Sequence, residues 1–106
     1  MYDTQKVREL NDAFRTSLKG GRLMLTRGIL NREDANDIVR RVQRFEAFTT
    51  ENDPNREHDF GAFEAGRDLV FWKIDYYSPD LSAGSEDPSN PALTARVLTI
   101  LLAEEY

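Results

Sequence analysis

Glu57 to Tyr77, EHDFGAFEAGRDLVFWKIDYY, holds the chain's only His, its only Trp and six of its eleven aromatic residues. Two runs rich in aromatic and β-branched residues, His58–Glu64 and Leu69–Tyr77, flank the link Ala65, Gly66, Arg67, Asp68. That pattern predicts a β-hairpin. Pairing Glu64 with Leu69 sets Ala62 opposite Phe71, Phe60 opposite Lys73 and His58 opposite Asp75. One face then carries Gly61, Phe63, Val70, Trp72, Ile74 and Tyr76 toward the core, with Gly61 leaving room for Trp72. The other carries His58, Phe60, Phe71, Lys73, Asp75 and Tyr77. A link one residue longer or shorter flips the first strand, sending Phe60 and Ala62 to the core and putting Asp59 beside Lys73 and Asp75. Both registers keep Phe71, Lys73, Asp75 and Tyr77 together on the second strand's outer face.

Toward the N-terminus, Val7, Leu10, Phe14 and Leu18 repeat at helical spacing, with Asn11 beside them, and predict a helix over Asp3–Leu18. Lys19, Gly20 and Gly21 end it. Arg22–Leu30, RLMLTRGIL, is short and evenly apolar, as a strand buried on both faces would be. Asn31 has the chemistry of an N-cap, with Glu33 and Asp34 in the first turn after it. The stripe Ala35, Ile38, Val42, Phe45 carries this second helix to about Phe48. Thr49–Glu57 reads as a loop around an Asp-Pro-Asn turn.

Past the hairpin, Ser78–Asn90 is polar and rich in Pro, Ser, Asp and Gly, and reads as a loop. Asn90 followed by Pro91 is a helix-start signal. Leu93, Val97, Ile100 and Leu101 then give a helical stripe toward Tyr106. The expected fold is α+β and a single domain. Its order is helix-strand-helix-strand-strand-helix, a small three-stranded sheet with helices packed mainly on one face.

The length of 106 residues fits one core, and 40% apolar with 31% charged residues suits a globular chain. The absence of Cys excludes disulfides, thiolate metal sites and Cys nucleophiles. MYDTQKVREL shows no apolar stretch after a basic one, so no secretory leader is expected, and the longest apolar run is too short for a bilayer. A cytoplasmic location follows as an expectation. The net charge of −5 divides unevenly, +3 over residues 1–50 and −8 over residues 51–106. An acidic half of this kind suits a basic protein partner, or simply solubility.

Candidate chemistry is sparse. In the first register, His58, Lys73 and Asp75 lie together beside Tyr77, and a carboxylate beside an imidazole can support acid–base work. Cross-strand ion pairing explains the same residues without catalysis. Glu57, His58 and Asp59 are consecutive, so a regular strand cannot aim all three at one metal ion, and no metal or other cofactor is expected. No nucleophile motif or phosphate-binding glycine loop occurs. Arg40, Arg41 and Arg44 offer a nucleic-acid surface on the second helix, but Asp37 is spaced to pair with two of them, and the overall acidity argues against a phosphate-backbone binder.

The segments LNDAFR (Leu10–Arg15), GGRLMLTRGI (Gly20–Ile29), NDPNREHDFGAFE (Asn52–Glu64), VFWKIDYY (Val70–Tyr77) and VLTILLAEEY (Val97–Tyr106) resemble, in order and over nearly the whole chain, the bacterial family called domain of unknown function 3768. The resemblance carries no activity, ligand or catalytic residue. Its association with plasmids implies an accessory role in mobile-element biology, either an anti-defence factor of the anti-CRISPR or anti-restriction type or a regulatory one. The expectation is a non-enzymatic protein-binding module whose partner is a basic nuclease or DNA-binding complex. Its contact surface would include Lys73, Asp75, Tyr77, Glu86 and Asp87. The alternatives are a small enzyme using the hairpin face and a nucleic-acid binder using the second helix.

Overall fold

The computed structural model describes residues 3–106; Met1 and Tyr2, at the start of the stretch read for a leader, lie outside the described residues. The hairpin forms in the first of the two registers. Strand β2 (Phe60–Ala65) pairs antiparallel with β3 (Asp68–Tyr77), setting Glu64 against Leu69 and Phe60 against Lys73. Gly66 makes the two-residue turn at φ +62°, a left-handed conformation that costs a glycine little. Gly61 lies under the Trp72 indole, where a Cβ would overlap Nε1 and reach to 2.9 Å from Phe45. That close approach lets Trp72 become fully buried.

Helix α1 (Thr4–Ser17) is capped by the Asp3 side chain, which accepts from the Lys6 N–H at 3.2 Å. It ends at Leu18, one residue before the expected stop, in a left-handed conformation. The first strand is shorter than expected. β1 covers Gly21–Leu25, and the remainder of the apolar run folds into the one-turn helix α2 (Arg27–Leu30). Asn31 therefore closes α2 and does not open the second helix. Arg32 donates to both carboxylate oxygens of Asp34, to Asp68 and to the Ala65 carbonyl, tying the bend to the hairpin turn. Helix α3 then runs only over Ala35–Gln43. It stops short of Phe48 because Arg15 of α1, 3% exposed, donates through Nη1 to the carbonyls of Val42, Gln43 and Phe45. A buried guanidinium thus satisfies the carbonyls that a helix end leaves open.

The sheet has four strands, not three, because the expected last helix is strand β4 (Ala95–Leu102). The Asn90 cap is real, since its side chain accepts from the Ala92 N–H at 2.9 Å, but it starts only the 3-10 turn Pro91–Leu93. The sequence ARVLTILL fits two periods. Val97, Ile100 and Leu101 match a helical stripe, whereas Arg96, Leu98, Ile100 and Leu102 alternate as a strand. β-Branched content and a central slot between two partners decide for the strand. β4 pairs antiparallel with β3 and parallel with β1, giving the order β1-β4-β3-β2.

Alternation then sorts the sheet into two faces. Val70, Trp72 and Ile74 of β3 and Leu98, Ile100 and Leu102 of β4 join Phe14 of α1, Ile29 of α2, and Ile38 and Val42 of α3 in one core. The helices therefore cover one face, as expected. Among the described residues no helix is long and apolar enough to cross a membrane.

Candidate functional site

Strand alternation brings the outer-face residues together as the sequence predicts. Lys73 and Asp75 pair at 2.8 Å, and that hydrogen bond raises the Lys73 ammonium above its ordinary range. Tyr77 ends the same row and is 36% exposed. Around them, Phe60 and Phe71 pack with ring centres 5.3 Å apart, and Tyr106 meets Phe71 edge-on at 5.7 Å. By register, Met24 and Leu69 lie on this face too, and they are 53% and 43% exposed. Neither α1 nor α3 packs against it. The acidic loop residues behave differently from one another. Glu86 is exposed and lines a cleft of about 470 Å³ with Ser78, Asp80 and Leu93. The Asp87 carboxylate is occupied within its own loop, accepting from the Ser89 N–H and hydroxyl at 3.0 and 2.5 Å. Asp80 accepts from Ser78 and Ser82, which hold its carboxyl down at about 2.

His58 does not join this group. It lies outside the regular strand, with φ +54°, and that left-handed turn sends its ring to the helix side of the sheet. The expected His58–Asp75 pair is therefore absent, and His58, Lys73 and Asp75 do not converge. The ring instead stacks on Phe48, 3.7 Å between centres and 3° from parallel. Its Nδ1 lies 2.9 and 3.0 Å from the two carboxylate oxygens of Asp12 on α1, and Nε2 lies 3.6 Å from Asp53 Oδ2. Arg15 braces both supports, since it pairs with Asp12 at 3.1 Å and stands over the Phe48 ring.

The loop that delivers His58 is built on two buried polar residues. Asp53, 5% exposed, accepts through Oδ1 from the backbone N–H groups of Glu57 and His58 at 3.1 and 3.2 Å. Asn11 donates to the Glu57 carbonyl at 2.9 Å and to the Tyr76 hydroxyl at 2.7 Å, and accepts from Arg96 Nε at 2.7 Å. The Tyr76 hydroxyl donates onward to the Glu57 carboxylate at 2.8 Å. Burial pushes the Tyr76 hydroxyl well above its ordinary range and the Arg96 guanidinium below its own. Asp59 follows in the chain. Burial first, then the charges of Glu57, Asp53 and Asp75, push its carboxyl up to about 6. The loop expected over Thr49–Glu57 is present, and it carries a buried polar lattice joining α1, β3 and β4.

Two clefts flank the His58–Phe48 stack. One, of about 350 Å³, is lined by Arg8, Phe48, Thr49, Thr50, Asp53, Arg56 and His58. The other, of about 330 Å³, opens on Asp12, Arg15, Gln43 and Glu46. Among the described residues no three His, Asp or Glu side chains are grouped so as to hold a metal ion. The arginines of α3 are partly engaged. Arg40 pairs with Asp37 at 2.9 Å, as the spacing predicts, and Arg41 lies 4.1 Å over the Phe63 ring. Arg44 is exposed at the helix end.

Sequence reasoning missed Asp12, Arg15 and Asp53 as parts of this centre. The nearest signal was Asp53 inside the Asp-Pro-Asn turn, which announces a turn without naming the side chain it orients. In comparison with known proteins, a family model described as "Protein of unknown function (DUF3768)" matches residues 4–105. No curated protein and no solved structure matches the chain.

Proposed function

As the chain belongs to the DUF3768 family, whose description assigns no activity, we propose from its surface that it is a non-enzymatic, cytoplasmic protein-binding module. The open face of the sheet is its contact surface. The observation behind this reading is the number of apolar groups on that face, where Met24, Leu69 and Tyr77 stand exposed toward its margins and Phe60 and Phe71 lie half-buried between them. The solvated face of a largely antiparallel sheet is ordinarily polar, and exposed apolar side chains gathered on one face favour an interaction surface.

The partner is a protein with an apolar patch bordered by Lys and Arg. Lys73 is matched within the face by Asp75, whereas Glu64 on β2 and Glu104 beside Leu69 are exposed carboxylates. Residues 51–106 carry −8 in all, which steers association toward a basic surface. A nuclease or DNA-binding complex offers such a surface, and occupying it would make this protein an anti-defence or regulatory factor of a mobile element.

The test compares the native chain with Leu69→Lys and Glu64→Lys in capture experiments under native conditions, with thermal unfolding as a check on the fold. Support is a basic partner retained by the native chain, released by salt and lost by both folded variants. A captured protein that binds both variants as well as the native chain would refute the assignment. So would a native dimer, measured by sedimentation, that Leu69→Lys splits, because the face would then belong to a second copy.

A further inference from the structure

We propose that the cleft between Arg8, Arg56 and His58 is a binding site for a small phosphate-bearing anion. It lies on the helix side of the sheet, so its test is independent of any partner on the open face. At about 350 Å³ it has the size of a small-molecule site.

Its walls reverse the sign of the protein around it. Arg8 on α1 donates through Nη1 to the Arg56 carbonyl at 3.1 Å, which brings the two residues together. Among the described residues neither guanidinium meets a carboxylate, whereas Arg15, Arg32 and Arg40 each do. The carboxylate that lines the cleft, Asp53, is 5% exposed, accepts two backbone N–H groups through Oδ1 and faces His58 with Oδ2. It is committed to holding the loop. Two guanidinium groups without a carboxylate, Arg56 and the half-engaged Arg8, therefore border a cleft in a chain of net charge −5.

The backbone is bent to make this arrangement. Arg56 and His58 both take left-handed conformations, at φ +56° and +54°, which is uncommon for an Arg and less so for a His. Such conformations persist only where the surroundings impose them, and they concentrate at ligand sites. Here the buried Asp53 and Asn11 impose them, and β2 begins only at Phe60, so the sheet does not require the bend.

The donor set selects the ligand class. Two guanidinium groups and the Thr49 and Thr50 hydroxyls border one space, while the His58 ring lines it with both nitrogens turned to Asp12 and Asp53. A carboxylate offers two oxygens in one plane. A tetrahedral phosphate offers oxygens in several directions and matches guanidinium geometry through paired N–H donors. Phe48 supplies an apolar wall for the body of the molecule that carries the phosphate.

The experiment is an NMR titration of backbone amides with inorganic phosphate at ionic strength held constant with sodium chloride. The expected result is saturable shifts confined to Thr49, Thr50, Arg56, His58 and their neighbours. Arg56→Gln removes an exposed side chain that has no side-chain partner among the described residues, and it is expected to weaken binding about tenfold, the loss of one charge-assisted contact. Arg44→Gln, at the exposed end of α3, should bind as the native chain does. A nucleoside monophosphate and its unphosphorylated nucleoside form a second arm. Tighter binding of the monophosphate identifies the ligand as a phosphorylated metabolite, and tighter binding of inorganic phosphate identifies free phosphate; either outcome supports the site. The proposal is overturned if neither probe gives saturable shifts at the cleft. It is equally overturned if Arg56→Gln and Thr50→Ala both bind like the native chain.

Discussion

Asp59→Asn should make the protein more stable, and only above a particular pH. Asp59 immediately precedes β2, and its carbonyl accepts from the Ile74 N–H at 2.8 Å. Its half-buried carboxyl faces the charges of Glu57, Asp53 and Asp75, and burial with this repulsion lifts it from 3.8 to about 6. Between the two values the folded chain holds a proton that the unfolded chain has released. Stability therefore falls as pH rises through that window, and the whole cost is present above about pH 6. The full shift corresponds to about 3 kcal/mol. Solvent screening of a half-exposed group reduces the expected gain to about 1–2 kcal/mol. Urea unfolding at pH 8, 6 and 4 measures it, alongside a rise in Tm at pH 8 of roughly 4 °C per kcal/mol for a domain of this size. The Asn variant should lead at pH 8 and converge with the native chain near pH 4. A variant no more stable at pH 8 would refute the reasoning. A gain unchanged at pH 4 would too, because an uncharged side chain would then be responsible for it.

Two further substitutions probe how the site is held. Gly61→Ala puts a methyl group into the Trp72 indole and against Phe45, and should cost about 1–3 kcal/mol of stability with a shift in Trp fluorescence. Native-like stability would show that the indole moves aside freely. Asp53→Ala leaves the Glu57 and His58 N–H groups without their acceptor, at a cost of about 2–3 kcal/mol. Amide exchange should accelerate at those two positions beyond any change in β2 and β3, and unchanged protection there would show that Asp53 does not hold the loop.

The hairpin was legible in the sequence because its evidence is local. Alternation over Val70–Tyr76 and a glycine at the turn announce two paired strands, whereas the register stayed open between two pairings, and only the folded sheet sets Glu64 against Leu69. β4 was misread because eight residues that are apolar on both faces fit either period, and only the neighbours β1 and β3 choose between them. His58 was assigned to the wrong face because strand parity was extended two residues beyond β2, to a residue whose own left-handed conformation cancels it. Arg15 gave no local sign of its role, which is to close a helix 27 residues further along the chain. The row Lys73, Asp75, Tyr77 was accessible to sequence reasoning, since it depends on one strand alone. The centre around His58 was not, since it depends on α1, the loop and the end of α3 meeting in space.

The central position of β4 also orders the events of folding. This strand follows all the others in the chain, yet it is the one to which β1 is paired and on which one edge of β3 closes. Until residues 95–102 arrive, β1 has no strand beside it, and the hairpin keeps a bare edge along its longer strand. The separation between Gly21 and its partner Arg96 spans most of the chain, so the decisive contact is also among the most entropically expensive. Completing the sheet therefore requires the last strand to take the slot between β1 and β3, to which no earlier pairing of β1 commits the chain. The same open edges make the incomplete chain a natural client for chaperones and a natural target for proteases.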